Sequence, residues 1–325
     1  MLAYYYIWFD DRSWRRAKRD VPLLGPYNSS DATVMRQHIA DASAAGIGGF
    51  LVSWKNTAKL TERLHRLAGA ARESGFKLGI VYQGLDFDRN PLPAEQITAD
   101  LAVFATQFAD DPVFRIWERP VVLLTGTDRW TLEQLAGFKA ALGGKADLLA
   151  SAKSVEEYRR VSGVVAGNAY YWSSGDPTKD WFAERLQAIG SAVRSSGGLC
   201  IAPAAPGFDA RDVGGSTSVP RQGGRTLKSE LQAAADTHPD AVGIISWNEF
   251  SENTYIEPSR DEGYTALDTV ARFDDREPVS RHEPPPVGTA GPHWTGWNTM
   301  ALVFLVSMVA LLVAARRRQA VRAGA

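Results

Sequence analysis

The chain alternates short apolar or aromatic runs with longer segments in which apolar residues recur at helical spacing. Each run is hydrophobic throughout rather than at every second position. This is typical of strands that are buried on both faces, as in a parallel sheet. There are eight runs, at residues 2–9, 46–54, 77–84, 119–126, 146–152, 163–172, 198–208 and 241–250.

The segments between the runs carry the signals of amphipathic helices. The segment KLTERLHRLAGAARESG places Leu60, Leu64 and Leu67 at helical intervals and ends in Gly75, a common helix terminator. Eight strands that alternate with helices predict a (β/α)8 barrel, the TIM-barrel architecture, over residues 1–273. A doubly wound open sheet is the alternative. The number of strands and the lack of a glycine-rich phosphate loop disfavour it.

Composition removes several classes of function. The 325 residues suffice for one large domain, and 36 basic against 37 acidic residues give a net charge of −1. The body of the chain has no basic stripe, which disfavours nucleic acid as a partner. The single cysteine, Cys200, excludes an internal disulfide and a cysteine metal cluster. No histidine falls at a predicted strand end, and no Walker or Rossmann motif is present, so the sequence predicts neither a metal nor a cofactor.

The C-terminal region differs from the rest. Residues 300–315 carry no charge, Trp294 and Trp297 precede them, and Arg316–Arg318 follow. This pattern predicts a single transmembrane helix at 294–316, joined to the barrel by a proline-rich linker at 274–293 and followed by a basic tail at 317–325. A buried core helix is the alternative interpretation.

The arginines also predict an orientation in the cell membrane. Clustered basic residues favour the cytoplasmic side, so we expect the tail inside the cell and the barrel outside it. The sequence leads from Met1 straight into LAYYYIWFD, without a signal-peptide pattern. A cytosolic barrel with a C-terminal anchor therefore stays open as an alternative.

Aromatic and acidic residues collect at the ends of the predicted strands. In such a barrel the active site lies at the carboxyl ends of the strands. Flat rings stack on pyranose faces, and carboxylates and amides pair with hydroxyl groups, so a carbohydrate substrate is expected. The candidate substrate-binding residues at these ends, and in the segment that follows the last strand, are Trp8, Trp54, Tyr82, Tyr170, Tyr171, Asp209, Trp247, Asn248, Tyr255 and Glu257.

The last run leads into SWNEFSENTYIEPS, residues 246–259, which holds the candidate catalytic pair Glu249 and Glu252. In a continuing strand, residues three apart point to opposite faces. Both carboxylates face one pocket only if the chain turns after Glu249, which Ser251 and Asn253 permit. Two carboxylates beside a glycosidic bond are the usual machinery of its hydrolysis, one as the acid and the other as nucleophile or base.

The motif WNEFSENTYIEPS resembles the WNEW-x-EGTQIEP signature of glycoside hydrolase family 99, the endo-α-mannosidases and endo-α-mannanases. Two further segments look like that family, LLGPYNSSDATVMRQHIADASAAGIGGFLVSW and PAAPGFDARDV with the RQGGRTLKSELQAA that follows it. The resemblance covers roughly residues 3–270, in the right order and with barrel spacing.

The resemblance implies a retaining mechanism without an enzyme nucleophile. Glu249 matches the base that deprotonates the 2-hydroxyl of the substrate, which then attacks the anomeric carbon to give a 1,2-anhydro sugar. Glu252 matches the general acid, which later acts as the base for water. Trp54 matches a candidate stacking platform, and Glu257 matches a glutamate with a structural or subsite role. Tyr170 or Tyr171 corresponds to a family tyrosine near the acid.

The sequence departs from the family at Ser251, Asn253 and Tyr255, where histidine, glycine and glutamine are usual. These residues lie in the loop that shapes the subsite. They therefore weaken the prediction of specificity for α-mannan more than they weaken the prediction of the reaction. The sequence therefore predicts a membrane-tethered retaining hydrolase of α-linked, mannose-containing glycan. A transferase or processing protein of envelope polysaccharide assembly and a non-catalytic glycan-binding barrel are the alternatives.

Overall fold

The structure is a computed structural model that describes residues 1–86 and 88–281. Within them, eight parallel strands close into a barrel in chain order, and the last strand pairs with the first. This confirms the predicted (β/α)8 barrel. The strands are β1 (Leu2–Tyr6), β2 (Gly49–Trp54), β3 (Lys77–Tyr82), β4 (Val121–Leu124), β5 (Asp147–Ala150), β6 (Gly167–Ala169), β7 (Leu199–Ala204), a small antiparallel pair β8 (Phe208–Asp209) and β9 (Ser218–Val219), and β10 (Ala241–Ile244), which closes the barrel.

Some helices begin or end at capping residues that the sequence offers. The Asp31 side chain accepts a hydrogen bond from Thr33 N at the start of α2, and Gly75 ends α3 in the left-handed conformation with φ 71°. The helices are α1 (Asp11–Trp14), α2 (Ala32–Ala44), α3 (Ala58–Ser74), α4 (Ala94–Gln107), α5 (Leu132–Ala141), α6 (Val155–Val161), α7 (Trp181–Ser195), α8 (Arg225–Ala235) and α9 (Thr265–Phe273).

The two faces of each barrel strand bury different residues. In β2, Leu51 packs in the cluster inside the barrel, whereas Phe50 and Val52 join the larger cluster between the barrel and its helices. Both faces are buried, which explains the continuous hydrophobic runs. At the carboxyl ends of the strands the interior becomes polar, and Gln83 Nε2 donates to Ser53 Oγ over 3.3 Å. The site predicted for this end of the barrel is therefore open to polar ligands.

The barrel domain extends past the predicted boundary at residue 273. Val279 is buried, and its backbone N–H donates to Asp268 Oδ1 of α9 over 3.3 Å. Arg281 also donates to the Asp268 carboxylate. Part of the predicted linker therefore packs on α9, while the predicted transmembrane helix at 294–316 lies outside the described residues. Among residues 1–86 and 88–281, no helix is long and apolar enough to span a bilayer.

Glu230 of α8 is a buried carboxyl group. It is 1% exposed, and its Oε2 accepts a hydrogen bond from Ala205 N over 2.7 Å. Its Oε1 has no partner among the described residues. Burial raises the pKa of Glu230 well above its ordinary value, because the charged form is poorly solvated.

Glu230 should make the domain less stable as pH rises. A carboxyl group whose pKa is higher in the folded state binds its proton more tightly there, so the free energy of unfolding falls once pH exceeds the unfolded value of about 4.3. Each unit of pKa difference is worth about 1.4 kcal/mol. Urea unfolding from pH 4 to pH 8 should show a smaller decline in Glu230→Gln. Glu184→Gln changes an exposed glutamate and should keep the full decline. Equal slopes in all three proteins would contradict this account.

Candidate active site

The loop that follows β10 brings Glu249 and Glu252 to one side of the barrel mouth. The chain leaves the sheet at Ile244 and makes a turn at residues 250–253. Glu249 N donates to Ser246 Oγ over 2.7 Å, and Thr254 N donates to Glu249 O over 3.1 Å, so the loop returns on itself. Asn253 takes the positive φ of 56° that this return requires. Asparagine tolerates this conformation better than most residues other than glycine.

Asn248 attaches this loop to β1. Beyond Ala3 and Ile244 the two strands no longer pair. There the Asn248 amide takes the place of a peptide group: Oδ1 accepts from Tyr6 N over 2.8 Å, and Nδ2 donates to Tyr6 O over 3.0 Å. Nδ2 also donates to Tyr27 Oη over 3.1 Å. The side chain before Glu249 is therefore fixed against β1 and supports the site rather than facing a substrate.

Glu257 continues this support into the core. It is 2% exposed, and its carboxylate accepts from Tyr27 Oη over 2.9 Å. Its other oxygen lies 3.0 Å from His38 Nε2, and His38 Nδ1 lies 2.9 Å from Tyr5 Oη. These contacts give Glu257 the structural role rather than the subsite role. His38, which the sequence placed only in a helix, is part of the same network.

The two candidate catalytic carboxylates are poorly solvated and influence one another. Glu249 is 7% exposed, and its Oε1 accepts from Ser251 N over 2.9 Å. Burial first, and then the charge of Glu252, raises the pKa of Glu249 to about 7. Burial also raises the pKa of Glu252, which is half-buried. A carboxyl group with a pKa near neutral is suited to exchange protons during a reaction.

Two tyrosines complete the mouth. The hydroxyl groups of Tyr6 and Tyr171 are hydrogen-bonded to each other. Burial, followed by nearby acidic groups that include Glu249 and Glu252, raises the pKa of both tyrosines, so both are protonated at neutral pH. Tyr171 was predicted, whereas Tyr6 was not. Tyr6 could have been found from strand alternation, because Tyr4, two residues earlier in β1, also points inside the barrel.

Asp209 supports the loop from the opposite side. Its backbone N–H donates to Glu252 O over 2.8 Å, and Asn253 Nδ2 donates to Asp209 O over 2.9 Å. Its carboxylate pairs with Arg211, which lowers the pKa of Asp209 to about 2, and with Arg19. Because Asp209 is committed to these partners, it positions Glu252 and does not lie free to bind a substrate as predicted.

Several predicted substrate-binding aromatics lie in the core. Trp54 is fully buried, and its ring centroid lies 6.3 Å from those of Tyr82 and Phe104. The expectation of a stacking platform at Trp54 was wrong, because Ser53 points into the mouth and Trp54 points toward the helices. The same parity buries Tyr82, whose hydroxyl donates to Asp100 over 2.7 Å, and places Tyr170 outside the barrel.

Of the remaining predicted aromatic residues, two are buried in the core and one lies at the mouth. Trp247 is fully buried, with its ring centroid 5.4 Å from that of Phe50. Tyr255 is 3% exposed, and its hydroxyl donates to Asp20 over 2.7 Å. Trp8 alone among the predicted tryptophans is half-buried at the mouth, where its ring centroid lies 4.3 Å from that of Tyr6. Trp8 therefore stays a candidate substrate-binding residue.

Two cations near the carboxylates were not predicted. Lys18 lies close enough to Glu249 for the two charges to affect each other's pKa, and its Nζ donates to Ser13 O over 2.6 Å. The charge of Arg89 opposes the upward shift in the pKa of Glu252. Both residues come from loops after barrel strands, where no periodic pattern exists to place a side chain.

Solved structures with a similar fold include a glycoside hydrolase and a glycoside hydrolase-like protein. The GH99 endo-alpha-mannosidase from Bacteroides thetaiotaomicron aligns with a TM-score of 0.72 at 16% identity, covering 84% of this chain and 96% of that one. A glycoside hydrolase-like protein aligns with a TM-score of 0.66 at 15% identity, covering 85% of this chain and 93% of the other. At these identities the similarity establishes the fold alone.

Sequence comparison gives the family. A glycoprotein endo-alpha-1,2-mannosidase-like protein of Danio rerio is 25% identical over 260 residues, and the matched region spans 73% of this chain and 58% of that relative. Residues 23–277 match the profile of glycosyl hydrolase family 71. The prediction of a glycoside hydrolase is confirmed, whereas the similarity to a family 99 enzyme shows a shared fold and not membership of that family. Because the match covers most of the chain, this protein belongs to glycosyl hydrolase family 71.

Proposed function

We propose that this barrel hydrolyses α-mannosidic linkages in glycans, with retention of configuration and with Glu249 and Glu252 as its two catalytic carboxylates. The observation that carries the proposal is the loop after β10, which directs two poorly solvated carboxylates to one mouth beside Tyr6 and Tyr171. Paired carboxylates at a barrel mouth are the machinery of glycoside hydrolysis. The mannosidase-like relative and the similar mannosidase fold support the substrate class.

The proposed reaction has two steps. In the first, the 2-hydroxyl oxygen of the substrate attacks the anomeric carbon while Glu249 takes the hydroxyl proton. The glycosidic bond breaks, and Glu252 gives its proton to the leaving oxygen. In the second, water attacks the anomeric carbon, Glu252 takes a proton from that water, and the bond to the 2-oxygen breaks as Glu249 returns its proton. Substrate-assisted retention of this general kind has precedents among glycosidases.

The surroundings of each glutamate suit its proposed role. A base must be ionised when it acts, and a pKa of about 7 lets Glu249 accept a proton readily near neutral pH. Glu252 must be protonated when it acts, and burial favours its neutral form. The departures from the family motif are compatible with this chemistry. Asn253 and Tyr255 support the loop through hydrogen bonds to Asp209 O and to the Asp20 carboxylate.

Replacing either catalytic carboxylate should abolish most activity without unfolding the domain. We expect Glu249→Gln and Glu252→Gln each to lose about a hundred- to ten-thousand-fold in kcat, because each removes a proton acceptor or donor. Release of reducing ends from a panel of α-mannans measures this, and circular dichroism checks the fold. Glu118→Gln, which changes an exposed glutamate just before β4, at the end of the barrel opposite the mouth, is the matched control. Near-wild-type turnover in either Glu249→Gln or Glu252→Gln would overturn the assignment.

The pKa of Glu249 should fall when Glu252 is neutralised. Both burial and the charge of Glu252 raise it, so Glu252→Gln removes the second cause and leaves the first. Titration of ¹³C-labelled carboxyl groups by NMR should place Glu249 at about 7 in the parent protein, and lower, but still above its ordinary value, in Glu252→Gln. Because the productive form needs Glu249 ionised and Glu252 protonated, kcat/KM of the parent enzyme should fall on both sides of a pH optimum. An ordinary glutamate pKa for Glu249 in the parent would show that the two carboxylates do not share a desolvated site.

A further inference from the structure

Trp181 is an exposed aromatic ring that neither the core nor the catalytic pair uses. It is the first residue of α7 and is 47% exposed. Within residues 1–86 and 88–281, it is the only aromatic side chain among the exposed large hydrophobics, which otherwise comprise Leu132 and Val213. Burial of an aromatic ring is strongly favourable, so the exposure of so large a ring suggests a role in binding.

The ring of Trp181 is held in place rather than free to rotate. Its centroid lies 5.6 Å from that of half-buried Trp172 in a stacked arrangement, with 29° between the ring planes. Trp172 in turn stacks on Tyr170 at 5.3 Å, and the Arg185 guanidinium lies 4.9 Å from the Trp172 centroid. A side chain at Gly175 would collide with Trp172 at 2.9 Å. The connection between β6 and α7 therefore packs closely against this stack, and Trp181 is its outermost ring.

The stack lies beside the candidate active site along the chain. Tyr171, between Tyr170 and Trp172, points the other way, into the mouth, where its hydroxyl contacts Tyr6. The connection after β6 leaves the carboxyl end of the barrel, which is the end that holds Glu249 and Glu252. Because α7 begins at Trp181, this ring also lies at the carboxyl end of the barrel, which is the end that faces a bound glycan.

The surroundings of Trp181 favour a sugar over a protein partner. Its neighbours Lys179, Asp180 and Glu184 are exposed and charged, so the ring stands alone and does not join a wider apolar surface. A stable protein interface buries roughly 800 Å² on each partner, far more than one ring offers. One flat face bordered by hydrogen-bonding groups matches one pyranose ring.

We propose that Trp181, supported by Trp172 and Arg185, forms a distal subsite that stacks on a pyranose ring of the glycan away from the bond that is cleaved. This deepens the proposed function and rests on it for the identity of the glycan. The subsite contributes to binding long substrates, and it takes no part in bond breaking. Its loss should therefore raise KM for long substrates and leave kcat unchanged.

The kinetic test compares a trisaccharide with a hexasaccharide of α-linked mannose. In Trp181→Ala, KM for the hexasaccharide should rise about tenfold, the upper range for one aromatic stack, with kcat and the trisaccharide constants unchanged. Trp181→Phe retains a flat ring and should restore most of the loss. Leu132→Ala is the matched control, because Leu132 is 46% exposed and is likewise the first residue of its helix. An equal fall in activity on both substrates, or no change in KM for the hexasaccharide, would overturn the subsite.

A binding measurement separates this subsite from the catalytic proposal. In native gels cast with α-mannan, Glu252→Gln should be retarded, and Glu252→Gln combined with Trp181→Ala should migrate faster. If both glutamate variants remain active but Trp181→Ala loses retardation, the catalytic assignment fails and the subsite stands. If retardation and hexasaccharide KM are both insensitive to Trp181→Ala, the subsite fails whatever the glutamate variants do. A change of oligomeric state caused by Trp181→Ala would also overturn the subsite, because the ring would then serve self-association.

Discussion

The structure of the site depends on one side-chain amide. The strand β10 leaves the sheet at Ile244, and from there Asn248 pairs with both backbone groups of Tyr6 as a peptide unit would. Together with the hydrogen bond that Trp247 N donates to Tyr4 O over 2.7 Å, this pairs the buried backbone groups of β1 where the two strands separate. The residues after Asn248 are free to turn, and that turn directs Glu249 and Glu252 into the mouth. A loop that is fixed by an internal hydrogen-bonded side chain holds the two candidate catalytic groups in position.

The polar groups behind the mouth form a connected support. Tyr27 joins Asn248 to Glu257, and His38 joins Glu257 to Tyr5 on the outer face of β1. Buried polar groups of this kind are costly unless they are paired, and here each has a partner. On the other side, Asp209 holds the backbone of Glu252. The candidate catalytic carboxylates are thus held from two directions, and burial at the mouth keeps their proton affinity high.

The barrel was predictable from sequence because parallel strands bury both faces and leave continuous apolar runs. The candidate catalytic pair was found through the motif WNEFSENTYIEP, and its catalytic role stays a prediction. The substrate-facing aromatics were less predictable, because their direction depends on the parity of each strand end. Ser53 faces the mouth and Trp54 does not, and a one-residue difference exchanges the two faces. Lys18 and Arg89 come from irregular loops, so only the folded chain reveals that they approach the carboxylates.

The most direct test of the central claim is the configuration of the first-formed product. Proton NMR recorded during hydrolysis of an α-mannan resolves the anomeric signals before mutarotation mixes them. Catalysis by Glu249 and Glu252 through two displacements at the anomeric carbon predicts that the α-anomer forms first and the β-anomer appears only later. A β-anomer at the earliest times would require a single displacement by water and would contradict the proposed mechanism. Failure to release any mannose reducing end from α-mannans would contradict the proposed substrate class.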